Sequence, residues 1–123
     1  MDWPGLTQEL APLRRRWDLP VLASLTGGAM RPGDLIEAIN SQAGADRVIG
    51  WKVLTDTLRR LEASGHVARR QVPGVPRQTW YCLCPPGLRL ISALTVLEDW
   101  YRSHDMREGQ GPVAADSRSR DDS

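Results

Sequence analysis

The stretch GWKVLTDTLRRLEASGHVARR, Gly50 to Arg70, constrains the fold of this chain more than any other. Leu54, Leu58 and Leu61 recur at i, i+4 and i+7 with Val53 alongside, which predicts an amphipathic helix from about Gly50 to Ser64 with these four side chains packed. Gly65 stands where a left-handed residue closes such a helix. HVARRQV, immediately beyond, has strand propensity. The opposite helix face carries Trp51, Lys52, Thr55, Asp56, Arg59 and Glu62, which must be either solvated or used.

The neighbouring segments limit how this unit is completed. Residues 1–6 read as a flexible N-terminus, with a first helix near Thr7 whose apolar stripe is Leu10, Leu13 and Trp17 and whose regularity Pro12 limits. In DLPVLASLTGG, Asp18 is the expected N-cap, Pro20 lies near the start of the helix and Gly27–Gly28 at its end. RPGDLIEAIN gives another helix through Leu35, Ile36 and Ile39, followed by SQAGADRVIG as a loop or a turn of extra helix. After the basic strand, PGVPRQ is a proline-stiffened loop, and TWYCLC returns as a second strand of a hairpin. Pro85–Pro86 can open a last helix, in which Leu90, Ile91, Leu94, Leu97 and Tyr101 recur at spacings of three and four. Residues 105–123 are polar and expected to be a disordered tail, leaving one domain over 7–104.

Helices, a hairpin and a closing helix, in that order, make a mainly α chain with a small β-hairpin (α+β), the plan of a winged helix-turn-helix. Charge is distributed to match. The net charge is only +1, but from Arg47 to Arg77 seven cations (Arg47, Lys52, Arg59, Arg60, Arg69, Arg70 and Arg77) face only Asp56 and Glu62. Local field steers phosphate, so double-stranded DNA is the expected partner: Lys52, Thr55 and Arg59 for the major groove, and Arg69, Arg70 and Arg77 on the wing.

These residues also resemble a known family, the HxlR-type winged-helix transcriptional regulators. The likeness runs from about Trp17 to about Trp100 and is strongest in WKVLTDTLRRLEASGHVARR and VPRQTWYCLC; RRRWDLPVLASLTGGAMRPGDL follows the same order of features. The resemblance implies a homodimer on operator DNA, with the terminal helices forming the dimer interface. It implies that Lys52, Thr55 and Arg59 face the groove, that Arg77 and Gln78 lie on the wing, and that Arg31 meets phosphate. This chain departs from the family pattern in having no cysteine before Cys82, so redox sensing through an N-terminal thiol is not expected. Its loop NSQAGADRVIG is longer, Gly50 replaces a Ser-like cap, and Trp51 and Asp56 replace polar or basic residues on the reading face.

Trp51 has several readings: a base-stacking ring, a ligand cap, a protein contact or, the favoured one, a scrap of core under the longer loop. Five tryptophans without a phenylalanine suggest sites that are wet at one end and apolar at the other. Trp17, Trp100 and Tyr101 sit on the elements expected at the dimer interface, which makes a flat apolar effector there a second function hypothesis. In that alternative, the winged helix has been turned to small-molecule or protein binding with weakened or lost DNA binding. Cys82 and Cys84 read as ordinary reduced thiols, and with His66 alone nearby they do not make a metal site. His104 suits the C-terminal end of its helix. No phosphate-binding glycine loop, metal-spaced His/carboxylate set or nucleophile elbow occurs, so neither an enzyme nor a cofactor is expected. MDWPGLTQEL lacks the basic and apolar regions of a signal peptide, no run is long enough to span a membrane, and the expected setting is the cytoplasm.

Overall fold

The computed structural model describes residues 1–43 and 48–110; Arg47 and residues 111–123 therefore lie outside the described residues. It contains α1 (Trp3–Glu9), α2 (Asp18–Ser24), α3 (Pro32–Ala43), α4 (Trp51–Ala63), β1 (Val67–Val72), β2 (Gln78–Leu83) and α5 (Pro85–Gln110). Short 3₁₀ turns follow α1 at Ala11–Leu13 and α2 at Leu25–Gly27. The chain divides into a unit spanning residues 1–91 and a second beginning at Ser92. None of the described helices is long and apolar enough to cross a membrane.

In the first unit, α2 packs on α3 and α4. Val21, Leu22, Leu25, Leu35, Ile39, Ile49, Leu54, Leu58, Leu61, Val67 and Leu90 form its buried apolar core. Each fully buried leucine contributes about 1.5–3 kcal/mol of transfer free energy, so burial on this scale is what holds such short helices together. Of the stripe expected on α4, Leu54, Leu58 and Leu61 are buried, but Val53 is 44% exposed and Thr57 takes its place. Positions 54, 57, 58 and 61 share one helical face, and Val53 lies about 100° away from Leu54. Thr57 tolerates burial because its hydroxyl donates to the Val53 carbonyl at 2.8 Å.

The ends of α4 are set by different means. Gly50 is extended and supplies no side-chain cap. At the other end Gly65 has φ of 83°, and the Gly65 and His66 N–H groups donate to the Glu62 and Leu61 carbonyls at 3.0 Å each. This is the Schellman closure expected of Gly65. Asn40 positions the chain just before α4: its Oδ1 accepts from the Ile49 N–H at 2.8 Å and its Nδ2 donates to the Ile49 carbonyl at 3.3 Å.

The hairpin is antiparallel, pairing Val67 with Leu83, Arg69 with Tyr81 and Arg70 with Trp80. Met30 exchanges both backbone bonds with Tyr81, at 2.9 and 2.8 Å, and so covers the outer edge of β2. Gln78, read from the sequence as loop, is the first residue of β2.

Four expectations at the helix ends are corrected. The first helix begins at Trp3 rather than near Thr7, because Asp2 Oδ1 accepts the Gly5 N–H at 3.1 Å and Pro4 sits in the first turn. Leu10, Leu13 and Trp17 do not share a helix: Leu10 caps α1, Leu13 lies in the 3₁₀ turn and Trp17 precedes α2. Asp18 is not the N-cap but the first residue of α2, with its carboxylate turned back into the protein. At the far end α5 continues to Gln110, six residues beyond the boundary expected at 104.

The second unit holds the rest of α5. Val96, Leu97, Trp100 and Tyr101 are exposed there, Leu94 is half-buried, and Glu98 and Arg102 form an i,i+4 ion pair at 3.0 Å. Trp100 and His104 stack with ring centroids 4.0 Å apart.

Candidate nucleic-acid interface

The buried stripe of α4 fixes which side chains point away from the core. Lys52, Thr55, Asp56 and Arg59 are all exposed and fall at i, i+3, i+4 and i+7, a single polar ridge. Trp51 opens the helix and is 58% exposed, so the expectation that it fills an extra scrap of core is corrected. Its ring edge instead passes near Gly33 on α3, which puts a broad apolar face beside the polar ridge.

Asp56 is the one carboxylate on this ridge, and Lys52 Nζ reaches its Oδ2 at 3.5 Å. Both groups are well exposed, so the pair is worth only about 0.3–0.5 kcal/mol, and either partner can leave it for a better one. Arg59 has no ion-pair partner among the described residues. It is the freest long donor on α4.

Arg60, grouped with the DNA contacts from the sequence, is placed differently. Its Nη1 donates to Asp18 Oδ1 at 2.9 Å, and its Nη2 reaches the Thr57 hydroxyl at 3.4 Å. Asp18 is 1% exposed and also accepts the Arg15 backbone N–H at 3.0 Å. A carboxylate removed from water requires such a partner. Arg60 therefore anchors α4 to α2 and is withdrawn from the polar ridge.

The hairpin supplies the second cationic surface. Arg69, Arg70 and Arg77 are exposed, and Gln78 is half-buried at the base of the loop. Arg69 makes a loose pair with Glu62 at 3.9 Å, whereas Arg70 and Arg77 have no ion-pair partner among the described residues. Arg31 joins this surface from the start of α3: its guanidinium lies 5.4 Å from the Trp80 ring centroid, while its Nε donates to Asp34 at 3.1 Å. Cross-strand pairing places Arg70 opposite Trp80, next to the ring that Arg31 covers.

The residues assigned from the sequence to a dimer or ligand surface fall into three groups by exposure. Leu90 is 6% exposed and belongs to the core of the first unit, which removes it from any partner-facing surface. Ile91 and Leu94 are half-buried, and Leu97, Trp100 and Tyr101 are open. Trp17 is half-buried beneath the Arg16 guanidinium, 5.3 Å from its ring centroid, and lines a cavity of about 390 Å³ with Leu19, Pro20, Ala23 and Ile39. Cys82 and Cys84 are free and half-buried. Among the described residues no group of His, Cys, Asp and Glu is arranged to hold a metal.

Three features of this site were not read from the sequence: the Asp18–Arg60 anchor, the Asn40 clamp and the Met30 bridge. The first spans 42 residues, and the other two leave no periodic trace.

Comparison with known proteins bears on the family and the fold. Residues 13–109 match the family model described as HxlR-like helix-turn-helix. An uncharacterised helix-turn-helix-type transcriptional regulator of Methanothermobacter thermautotrophicus is 34% identical over 98 residues, covering 77% of this chain and 70% of the relative. Among solved structures, a protein described as a MarR-family transcriptional regulator from Enterococcus faecalis V583 superposes with a TM-score of 0.79 at 28% identity, covering 90% of this chain and 94% of that one. The reduced form of the regulator YodB from B. subtilis superposes with a TM-score of 0.68 at 25% identity, over 81% and 91% of the two chains. Family and relatives alike are transcriptional regulators and not enzymes. A winged α+β fold, a family match across most of the chain and a cationic ridge-and-hairpin surface lead to one conclusion: the chain belongs to the HxlR-like helix-turn-helix family of transcriptional regulators.

Proposed function

We propose that the protein is a sequence-specific DNA-binding transcriptional regulator acting as a homodimer, with α4 in the major groove and the hairpin as a flanking wing. The observation that carries this reading is the contrast between Arg59 and Arg60. Adjacent arginines on one helix divide their roles: Arg60 is tied inward to buried Asp18, and Arg59 stands on the polar ridge with no ion-pair partner among the described residues. Lys52, Thr55 and Arg59 meet base edges, while Arg31, Arg69, Arg70 and Arg77 meet phosphate. Asp56, once Lys52 turns to the DNA, can accept from a cytosine amino group. Trp51 stacks or packs against the groove wall at the leading end of α4. The open stripe Leu97, Trp100 and Tyr101 gives a second copy an apolar surface to cover.

Arg59→Ala and Arg77→Ala test the assignment. Loss of a base contact costs about 1–3 kcal/mol and falls mainly on the preferred sequence. Arg77→Ala should weaken preferred and random duplexes alike and flatten the salt slope by about two, one for each copy of the dimer. Equal losses on both duplexes for Arg59→Ala would remove it as a base reader.

The cavity beside Trp17 supports a second reading, in which a flat apolar effector modulates the protein there. Filling it with Ala23→Phe should abolish any response of DNA binding to such a compound, and a response that survives the filling would place the effector elsewhere.

A further inference from the structure

A second cavity, of about 370 Å³, lies on the inward side of α4, and the DNA-binding reading makes no use of it. Its wall includes Gln8 from α1, Pro12, Arg14 and Arg15 from the segment leading to α2, Arg60 from α4 and His66 just before β1. Three arginines thus border one space, and the nearby carboxylate of Asp18, which accepts the Arg15 backbone N–H, is buried and already paired with Arg60. Arg14 and Arg15 are exposed, and neither side chain has an ion-pair partner among the described residues. His66 Nδ1 is engaged by the Ser64 hydroxyl at 2.8 Å, which orients the imidazole at the rim. Ala11, Pro12 and Leu61 add an apolar floor.

We propose that this cavity is a binding site for a small organic carboxylate with an aromatic or compact apolar body. Arg14 and Arg15 hold the carboxylate as paired fork donors, and the apolar body lies on Pro12 and Leu61. The cationic excess selects an anion; the apolar floor selects against a bare inorganic one. At about 30 Å³ for each water-sized group, the space takes roughly a dozen heavy atoms, the size of a monocyclic aromatic acid. Because Arg60 and Leu61 belong to α4, an occupant touches the same helix that presents Arg59. The site does not depend on the DNA-binding reading, since it is tested on the protein alone.

Calorimetric titration of the full chain with benzoate, with neutral benzamide and with inorganic phosphate tests the proposal. Benzoate should bind at least ten-fold more tightly than benzamide and ten-fold more tightly than phosphate, each corresponding to about 1.4 kcal/mol. The Arg14→Ala/Arg15→Ala variant should lose at least ten-fold in benzoate affinity with an unchanged melting temperature, since both side chains are at the surface. Ala11→Phe, which fills the floor and keeps both arginines, should lose it as well. Benzoate binding that survives both variants would place the ligand at another site, including the cavity beside Trp17, and overturn the assignment. Phosphate binding as tightly as benzoate would mark a general anion site, and no heat with benzoate would mean no carboxylate site; either result contradicts the proposal.

Discussion

At the scale of single residues, two neighbours with the same chemistry do opposite work. Arg59 and Arg60 are indistinguishable as letters, yet a turn of 100° sends one to the ridge and the other to Asp18. Removing one partner of a fully buried pair costs about 3–5 kcal/mol. The Arg60 side chain is 35% exposed, so Arg60→Ala should cost less, about 2 kcal/mol, read as a lower urea midpoint at unchanged slope. Its DNA affinity, measured where the variant is fully folded, should fall far less than that of Arg59→Ala. A variant with full stability and lost DNA binding would reverse the two roles. The sequence showed that both arginines lie on the helix and that Leu54, Leu58 and Leu61 pack; it could not show the partner of Arg60, because Asp18 looks like a helix cap from its neighbours alone. Val53 was misread for a related reason. An apolar residue beside the stripe looks packed until the helix phase is known, and a threonine whose hydroxyl is satisfied within the helix can take the buried position.

At the scale of elements, the junctions determine where the reading surface is presented. Asn40 clamps Ile49 with two hydrogen bonds just ahead of α4. Asn40→Ala should cost about 1–2 kcal/mol and loosen the start of α4, seen as faster amide exchange at Trp51–Val53 than at Leu58–Leu61. Gly87, near the start of α5, is buried, and a Cβ there would run into the His66 carbonyl, which already accepts the Cys84 N–H at 3.0 Å. That carbonyl cannot retreat without losing its bond, so Gly87→Ala should cost about 1–3 kcal/mol by thermal or urea denaturation. Stability within experimental error of the parent would show that the α5 junction yields. Elements with strong periodic or turn signals, namely α4, its Gly65 closure, the hairpin and the opening of α5 at Pro85, were legible in advance within a residue or two. The N-terminal segment was not. Its helix rests on Asp2 and Pro4 rather than on an apolar stripe, and α1 has no buried residue to announce it.

At the scale of the whole molecule, the proposed function combines two surfaces that no single element supplies. Leu97, Trp100 and Tyr101 on α5 are exposed, and in the proposed homodimer a second copy covering them doubles the number of reading helices. Leu97→Asp should leave a folded monomer in light scattering and weaken binding to a two-site duplex by roughly 10²–10⁴-fold through loss of the effective-concentration gain. A variant that remains dimeric would move the interface elsewhere. The fold and family could be inferred from element order and motif resemblance; which cations are free and which are committed inside the protein required the structure. The most direct measurement of the central claim is fluorescence anisotropy of a labelled duplex from the protein's own upstream region, against a random duplex, from 50 to 200 mM salt. A dimer using Arg31, Arg69, Arg70 and Arg77 from each copy neutralises about eight phosphates, so affinity should fall roughly 10³–10⁵-fold over that range while the upstream duplex stays preferred. Weak binding with a flat salt response and no preference between duplexes would contradict it.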